Sequence, residues 1–172
     1  MVTTEAQLAL LLDGCHLEPA EDMRFLVAAD YAQEQGYRAV EHCLRLLARS
    51  PRRLATGSRA YGTPQPDSDW DWVVKFGRHR DFADVLTPAD SHTISRADTD
   101  HYGDSDMLVG TARFGPLNLI AVTAESQWNI WKDGTQYLLA ESGLEGPRTR
   151  DRAVQVFQQF ARRVREERER GS

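Results

Sequence analysis

Residues 57–74 read Gly57-Ser58-Arg59-Ala60-Tyr61-Gly62-Thr63-Pro64-Gln65-Pro66-Asp67-Ser68-Asp69-Trp70-Asp71-Trp72-Val73-Val74, a turn-rich loop that runs into an apolar strand. Side chains of a strand alternate between faces, so Asp69, Asp71, Val73 and Lys75 are expected on one face and Trp70, Trp72, Val74 and Phe76 on the other. This separates two carboxylates from two tryptophans. At about 3.3 Å of rise per residue the carboxylates stand roughly 7 Å apart along the strand, within reach of divalent cations held about 3.5 to 4 Å from each other. A metal-bound polyphosphate suits such a face.

Gly57-Ser58 followed by Asp69-x-Asp71 and the apolar run Trp72-Val73-Val74 resembles the signature of the nucleotidyltransferases of the DNA polymerase beta superfamily, in particular its small minimal members. The quoted stretch carries the resemblance closely, and the middle of the chain follows it through the expected order of elements. The resemblance implies transfer of a nucleoside monophosphate from a nucleoside triphosphate to an acceptor hydroxyl, with Mg2+ or Mn2+ as cofactor. Asp69 and Asp71 would hold the metal, and Gly57, Ser58 and Arg59 would bind the nucleotide's phosphates. A third carboxylate is expected on a later strand, within an apolar-Asp-apolar triplet. Asn118 occupies that place in Pro116-Leu117-Asn118-Leu119-Ile120. Its carbonyl can ligate a hard cation, but an amide cannot serve as a general base. The asparagine is similar to that of small phage-encoded members of the superfamily. Asp104 or Asp106 could supply a replacement carboxylate, although a solvated turn also accounts for both.

Working outward, Leu8, Leu11 and Leu12 form an apolar helical face that should end near Gly14. Pro19 suits the first position of a second helix, with Glu21 and Asp22 in its first turn and Met23, Leu26, Val27 and Tyr31 on its apolar face up to Gly36. Val40, Cys43, Leu44 and Leu47 make a third helix, stopped before Pro51. Arg53 to Thr56 reads as the first core strand, with a short helix after Ser58 whose free amides suit an anion. Phe82, Val85 and Leu86 suggest another short helix, and residues 88–106 read as a polar connection with His92 and His101 at its surface. Met107 to Phe114 and Leu117 to Thr123 form a hairpin around Gly115-Pro116. Glu125 to Ser142 reads as a helix with a core face of Trp128, Trp131, Tyr137 and Leu138 and a candidate break at Gly134. Thr149 is an N-cap candidate for a final helix bearing Val154, Phe157, Phe160, Ala161 and Val164.

The expected fold class is therefore α+β: a small mixed sheet of the nucleotidyltransferase type with flanking helices at both termini. Its 172 residues, 41% of them hydrophobic, suit one domain, with a helical part at 1–50, the sheet and active site at 51–123 and C-terminal helices at 124–172. No apolar run approaches the eighteen or so residues of a membrane span, and the N-terminus lacks the features of a signal peptide, so a cytoplasmic protein with no membrane partner is expected. A net charge of −5 favours a small molecule or a protein over nucleic acid as acceptor. Cys15-His16 and His42-Cys43 do not suit one zinc ion, since neighbours on a helix point about 100 degrees apart. An alternative of another class remains. It is a catalytically impaired protein of the same fold that acts as a nucleotide-binding or protein-interaction module, antitoxin-like or phage host-modulating, and Asn118 is its chief support.

Overall fold

The computed structural model describes residues 3–62, 64–77, 85, 88–96, 108–140 and 150–171. Its elements run α1 (Thr4–Leu17), α2 (Asp22–Glu34), α3 (Arg38–Arg49), β1 (Arg53–Thr56), α4 (Gly57–Ala60), β2 (Trp70–Lys75), β3 (Ser91–Arg96), β4 (Leu108–Phe114), β5 (Leu117–Val122), α5 (Glu125–Leu139) and α6 (Arg150–Gly171). The protein is α+β. Five strands form one mixed sheet in the order β1-β2-β5-β4-β3, in which β2 and β5 are parallel and the other neighbours antiparallel.

Both faces of the sheet are covered, because its central strands are apolar on both sides. One face carries Ala55, Trp70, Trp72, Val74, Phe114, Leu117, Leu119 and Ala121 against α1, α2 and α3. The other packs Val73, Ile120 and Val122 against Trp128, Ile130, Trp131 and Leu138 of α5 and Val156 of α6. The face assignment read from alternation in β2 holds, with Trp70 and Trp72 buried at 6% and 1% exposure. The Asp71 face is not solely a chemical face, however. Beyond Asp71 it becomes a second core, with Val73 fully buried, so polar groups are accommodated where β2 begins.

Several local expectations are corrected. Helix α1 continues past Gly14 to Leu17, and α2 starts at Asp22, leaving Pro19 in the turn between them. The buried face of α2 is Phe25, Ala28, Ala29 and Ala32, while Met23 and Val27 are exposed. Three alanines allow close approach to a neighbouring helix, and this packing outweighs the larger apolar residues in setting the helix's phase. Helix α5 is unbroken through Gly134, which is buried with Thr135; an interior glycine costs only about 1 kcal/mol, which packing on the sheet readily offsets. Within the polar stretch 88–106 lies strand β3, paired with β4 from Ser91↔Arg113 to Arg96↔Leu108. Its sequence Ser-His-Thr-Ile-Ser-Arg lacks apolar alternation, since an edge strand can be held by main-chain bonds to one neighbour. The expected short helix at Phe82, Val85 and Leu86, the Thr149 cap and His101 fall wholly or mainly outside the described residues.

Arg53 ties the helical layer to the sheet. Its side chain, 7% exposed, lies over the Phe25 ring and donates to the carbonyls of Pro19, Leu47 and Ser50 and to the Asp22 carboxylate. A buried cation is tolerated because its donors are satisfied. Cys15 and Cys43 are buried free thiols. Burial pushes Cys15 up to about 11 and Cys43 further upward, which suits packing rather than reactivity. Among the described residues no helix is long and apolar enough to cross a membrane.

Trp72 meets the His16 ring edge-on at 4.7 Å and the Phe25 ring at 5.0 Å. Trp72→Ala is expected to cost about 3 to 5 kcal/mol, a large share of a typical domain's stability. Urea denaturation measures this, and an unchanged midpoint would mean that β2 does not present Trp72 to the core.

Candidate active site at the start of the central strand

The register places four polar residues in one row across the sheet. Thr56 of β1 lies opposite Asp71 of β2, Asp71 opposite Asn118 of β5, and Asn118 opposite Arg113 of β4. Paired residues of neighbouring strands share a face, so the row lies on the α5 side of the sheet. Asp69, just before β2, joins it through a 2.6 Å ion pair with Arg113. Asn118 donates from Nδ2 to Oδ1 of Asp71 at 2.8 Å. The structure thus brings Asp69, Asp71 and Asn118 together, as the sequence reading expects, and adds Arg113.

Gly57 approaches this row from β1. Its φ of 75° is left-handed, and an added Cβ would fall onto Asp71 Oδ2, 2.7 Å from its Cγ and 2.9 Å from its Cβ. Only glycine combines that conformation with such closeness. Helix α4 is a single turn, and the Thr56 side chain does not cap it. The Thr56 hydroxyl instead meets Tyr61 Oη at 2.6 Å and Thr135 Oγ1 at 3.2 Å, joining the turn to α5. Tyr61 is buried and packs with the α5 core. Burial raises its phenol above the ordinary value, and the charge of Asp71 adds to that effect.

Ser58 and Arg59 hold the loop between α4 and β2. Ser58 Oγ donates to Ser68 Oγ at 3.0 Å, and Ser68 Oγ also accepts from the Gln65 amide at 2.8 Å. Arg59 donates Nε to the Ser68 carbonyl at 2.8 Å and lies 3.7 Å above the Trp70 ring. Asp13 of α1 completes the packing, accepting from Trp70 Nε1 at 2.9 Å with Arg59 Nη1 3.8 Å away. Arg59 is thus a packed link between α1 and the loop. The Asn118 amide is engaged by a side chain, the Asp71 carboxylate. Asp104 and Asp106 lie outside the described residues.

The oxygen-rich donor set of Asp69, Asp71 and the Asn118 amide fits a hard cation. No cluster of three or more His, Cys, Asp or Glu occurs among the described residues. A Mg2+ here would draw one or two carboxylates from these residues, with water and substrate phosphate completing its shell, which is its common habit in phosphate chemistry. Arg113 is the site residue that sequence reasoning missed. A signal existed, because a hairpin turning at Gly115-Pro116 pairs Phe114 with Leu117 and therefore Arg113 with Asn118.

Behind the row, on the opposite face, His16 of α1 sits against Trp72. Neither ring nitrogen has a hydrogen-bond partner among the described residues. Desolvation lowers its value from 6.5 to about 4, and an approach to the Asp71 main chain that falls short of a hydrogen bond offsets only part of this. No family model matches the chain, and neither does any curated protein or solved structure.

Gly57→Ala should cost about 2 to 5 kcal/mol, combining left-handed strain of about 1 to 2 with overpacking of about 1 to 3. In an Asp71→Gly background the overpacking should vanish and leave only the strain. A double-mutant cycle in urea measures the coupling, and strict additivity would mean that Gly57 does not lie on Asp71. For His16, the unfolded chain binds the extra proton between its ordinary value of 6.5 and about 4. Stability is then full above about pH 6.5 and declines as pH falls toward 4, by up to about 3 kcal/mol. His16→Leu should flatten that part of the profile, and an unaltered slope would show that His16 is not held neutral.

Proposed function

We propose that the chain is a metal-dependent nucleotidyltransferase, transferring a nucleoside monophosphate from a nucleoside triphosphate to an acceptor hydroxyl on a small molecule or a protein. The observation that carries this reading is the contact of the Gly57 backbone with Asp71, beside Asp69 and at the rim of an otherwise apolar sheet face. It sets the Gly-Ser turn against one of the two carboxylates, an arrangement that suits a metal-bound triphosphate. The resemblance of the Gly57-to-Val74 stretch to the DNA polymerase beta superfamily points the same way.

In this reading Asp69 and Asp71 hold Mg2+ or Mn2+, and Asn118 offers its carbonyl beside them. The cation, when bound, supplies Lewis-acid stabilisation of charge on the transferring phosphoryl group. Gly57 lets the phosphate tail approach the main chain, and Ser58 adds a hydroxyl, which must share its bond to Ser68 or release it. Arg59 acts indirectly, by packing the loop on Trp70. Proton removal from the acceptor is not a task that Asn118 can perform, so it falls to a group on the acceptor, to solvent, or to another residue of the chain.

One observation favours a second reading, a nucleotide-binding or protein-interaction module that has given up transfer. Each carboxylate already has a partner within the protein, Arg113 for Asp69 and the Asn118 amide for Asp71. That pairing reduces the repulsion a metal would otherwise relieve.

The test incubates purified protein with each alpha-labelled nucleoside triphosphate and Mg2+ or Mn2+, in the presence of a cell extract as acceptor source. Label transfer that disappears in Asp69→Asn and in Asp71→Asn is expected, together with a loss of Mg-nucleotide affinity of more than about tenfold, while both variants stay folded. Unaltered nucleotide affinity in both variants would remove the assignment. Asn118→Asp separates the readings. An enzyme lacking only its base should gain about 100-fold to 10,000-fold in transfer rate, whereas a binding module should bind cation more tightly and still transfer nothing.

A further inference from the structure

Arg113 and Asp69 form an unequal pair. The arginine side chain is 53% exposed and the carboxylate 23%, so the guanidinium reaches in from solvent to a more enclosed acid. Arg113 stands at the end of the Thr56-Asp71-Asn118-Arg113 row, and Nη2 is the atom that donates to Asp69 Oδ2. A guanidinium has five N–H donors in a planar fork, so this one bond leaves others for a second anion. A cation bound by Asp69 would compete with Arg113 for the same oxygen lone pairs and the same charge.

We infer that Arg113 is an internal counter-ion that a divalent cation displaces, and that once displaced it binds the phosphates arriving with that cation. The inference rests on the nucleotidyltransferase-type reading of Asp69 and Asp71. Without metal, the guanidinium lowers the charge density of the two neighbouring acids. With metal on Asp69, it is released at the rim of the site, where a nucleoside triphosphate's phosphate oxygens give it a charge-assisted, bidentate partner in exchange. Free cation is thereby disfavoured and cation delivered with nucleotide is favoured. This is a specificity device for the metal-nucleotide complex over either component alone.

Opposite signs for two affinities test the idea. Calorimetry measures binding of Mn2+ alone and of Mn-ATP to wild type, Arg113→Gln and Arg113→Lys, with thermal melting as a check on folding. A half-exposed ion pair is a weak competitor, so Arg113→Gln should bind Mn2+ alone about two- to fivefold more tightly. The same variant should bind Mn-ATP about tenfold more weakly, as loss of a charge-assisted hydrogen bond implies. Arg113→Lys keeps the charge and should stay within about twofold of wild type for Mn2+ alone. Wild type and Arg113→Gln with equal affinities for both ligands would overturn the inference while leaving the metal site standing, as would both affinities moving in the same direction or a lysine variant that behaves like the glutamine one. If wild type binds neither Mn2+ nor Mn-ATP, the inference falls together with the reading beneath it.

Discussion

Two-sided burial of β2 is the constraint on which the remaining structure depends. Trp72, Val73 and Val74 are consecutive and each no more than 1% exposed, so a single strand supplies both cores at once. The N-terminal helices must cover one face and the C-terminal helices the other. Polar side chains that β2 carries on the α5 face are confined to its ends, Asp71 at the start and Lys75 at the finish, both only partly buried. The candidate site lies where it does because the first end is the place at which β1, β2, β5 and β4 can bring polar residues into one row.

Within that row, charge is balanced by geometry rather than by solvent alone. Two carboxylates on adjacent same-face positions repel, and a fold that keeps them must offer each a partner or accept a stability cost. Asp69 takes Arg113 from a neighbouring hairpin, and Asp71 takes the Asn118 amide in register. A carboxylate at 118 would have added a third negative charge at the same spot. The asparagine therefore has a structural consequence: it gives Asp71 a neutral donor in place of a third negative charge, and under the proposed function it would also withhold a base.

Arginine also builds the scaffold around the site. Arg53 closes the turn between α1 and α2 and the end of α3 onto β1 through main-chain carbonyls, while Arg59 pins the loop onto Trp70 and α1. Both use the planar fork and the flat cationic face that lysine lacks. The loop from α4 to β2 is thus held at Ser58, Arg59 and Ser68 before any ligand is considered, which bears on how far it must reorganise to admit one.

Much of this was legible from local sequence. Alternation set the faces of Trp70 to Phe76, because a strand's period of two allows no other arrangement once one face is buried. Turn chemistry located the hairpin at Gly115-Pro116 and the strand before Gly57-Ser58. What sequence could not decide was whatever depended on a distant neighbour. The phase of α2 followed alanines that permit close packing rather than its larger apolar residues. Polar β3 became a strand because β4 offered an open edge, a main-chain reason invisible in side-chain pattern. Arg113 joined the site only through register across three strands, and Arg59 is tied to the loop and to α1 because Trp70 and Asp13 converge on it in space. Sequence alone determined the strand that carries the carboxylates and the glycine turn that precedes them, since both rest on backbone periodicity and conformational freedom. Tertiary structure decided which partners those carboxylates meet, because a counter-ion is chosen by distance in space and not by separation along the chain.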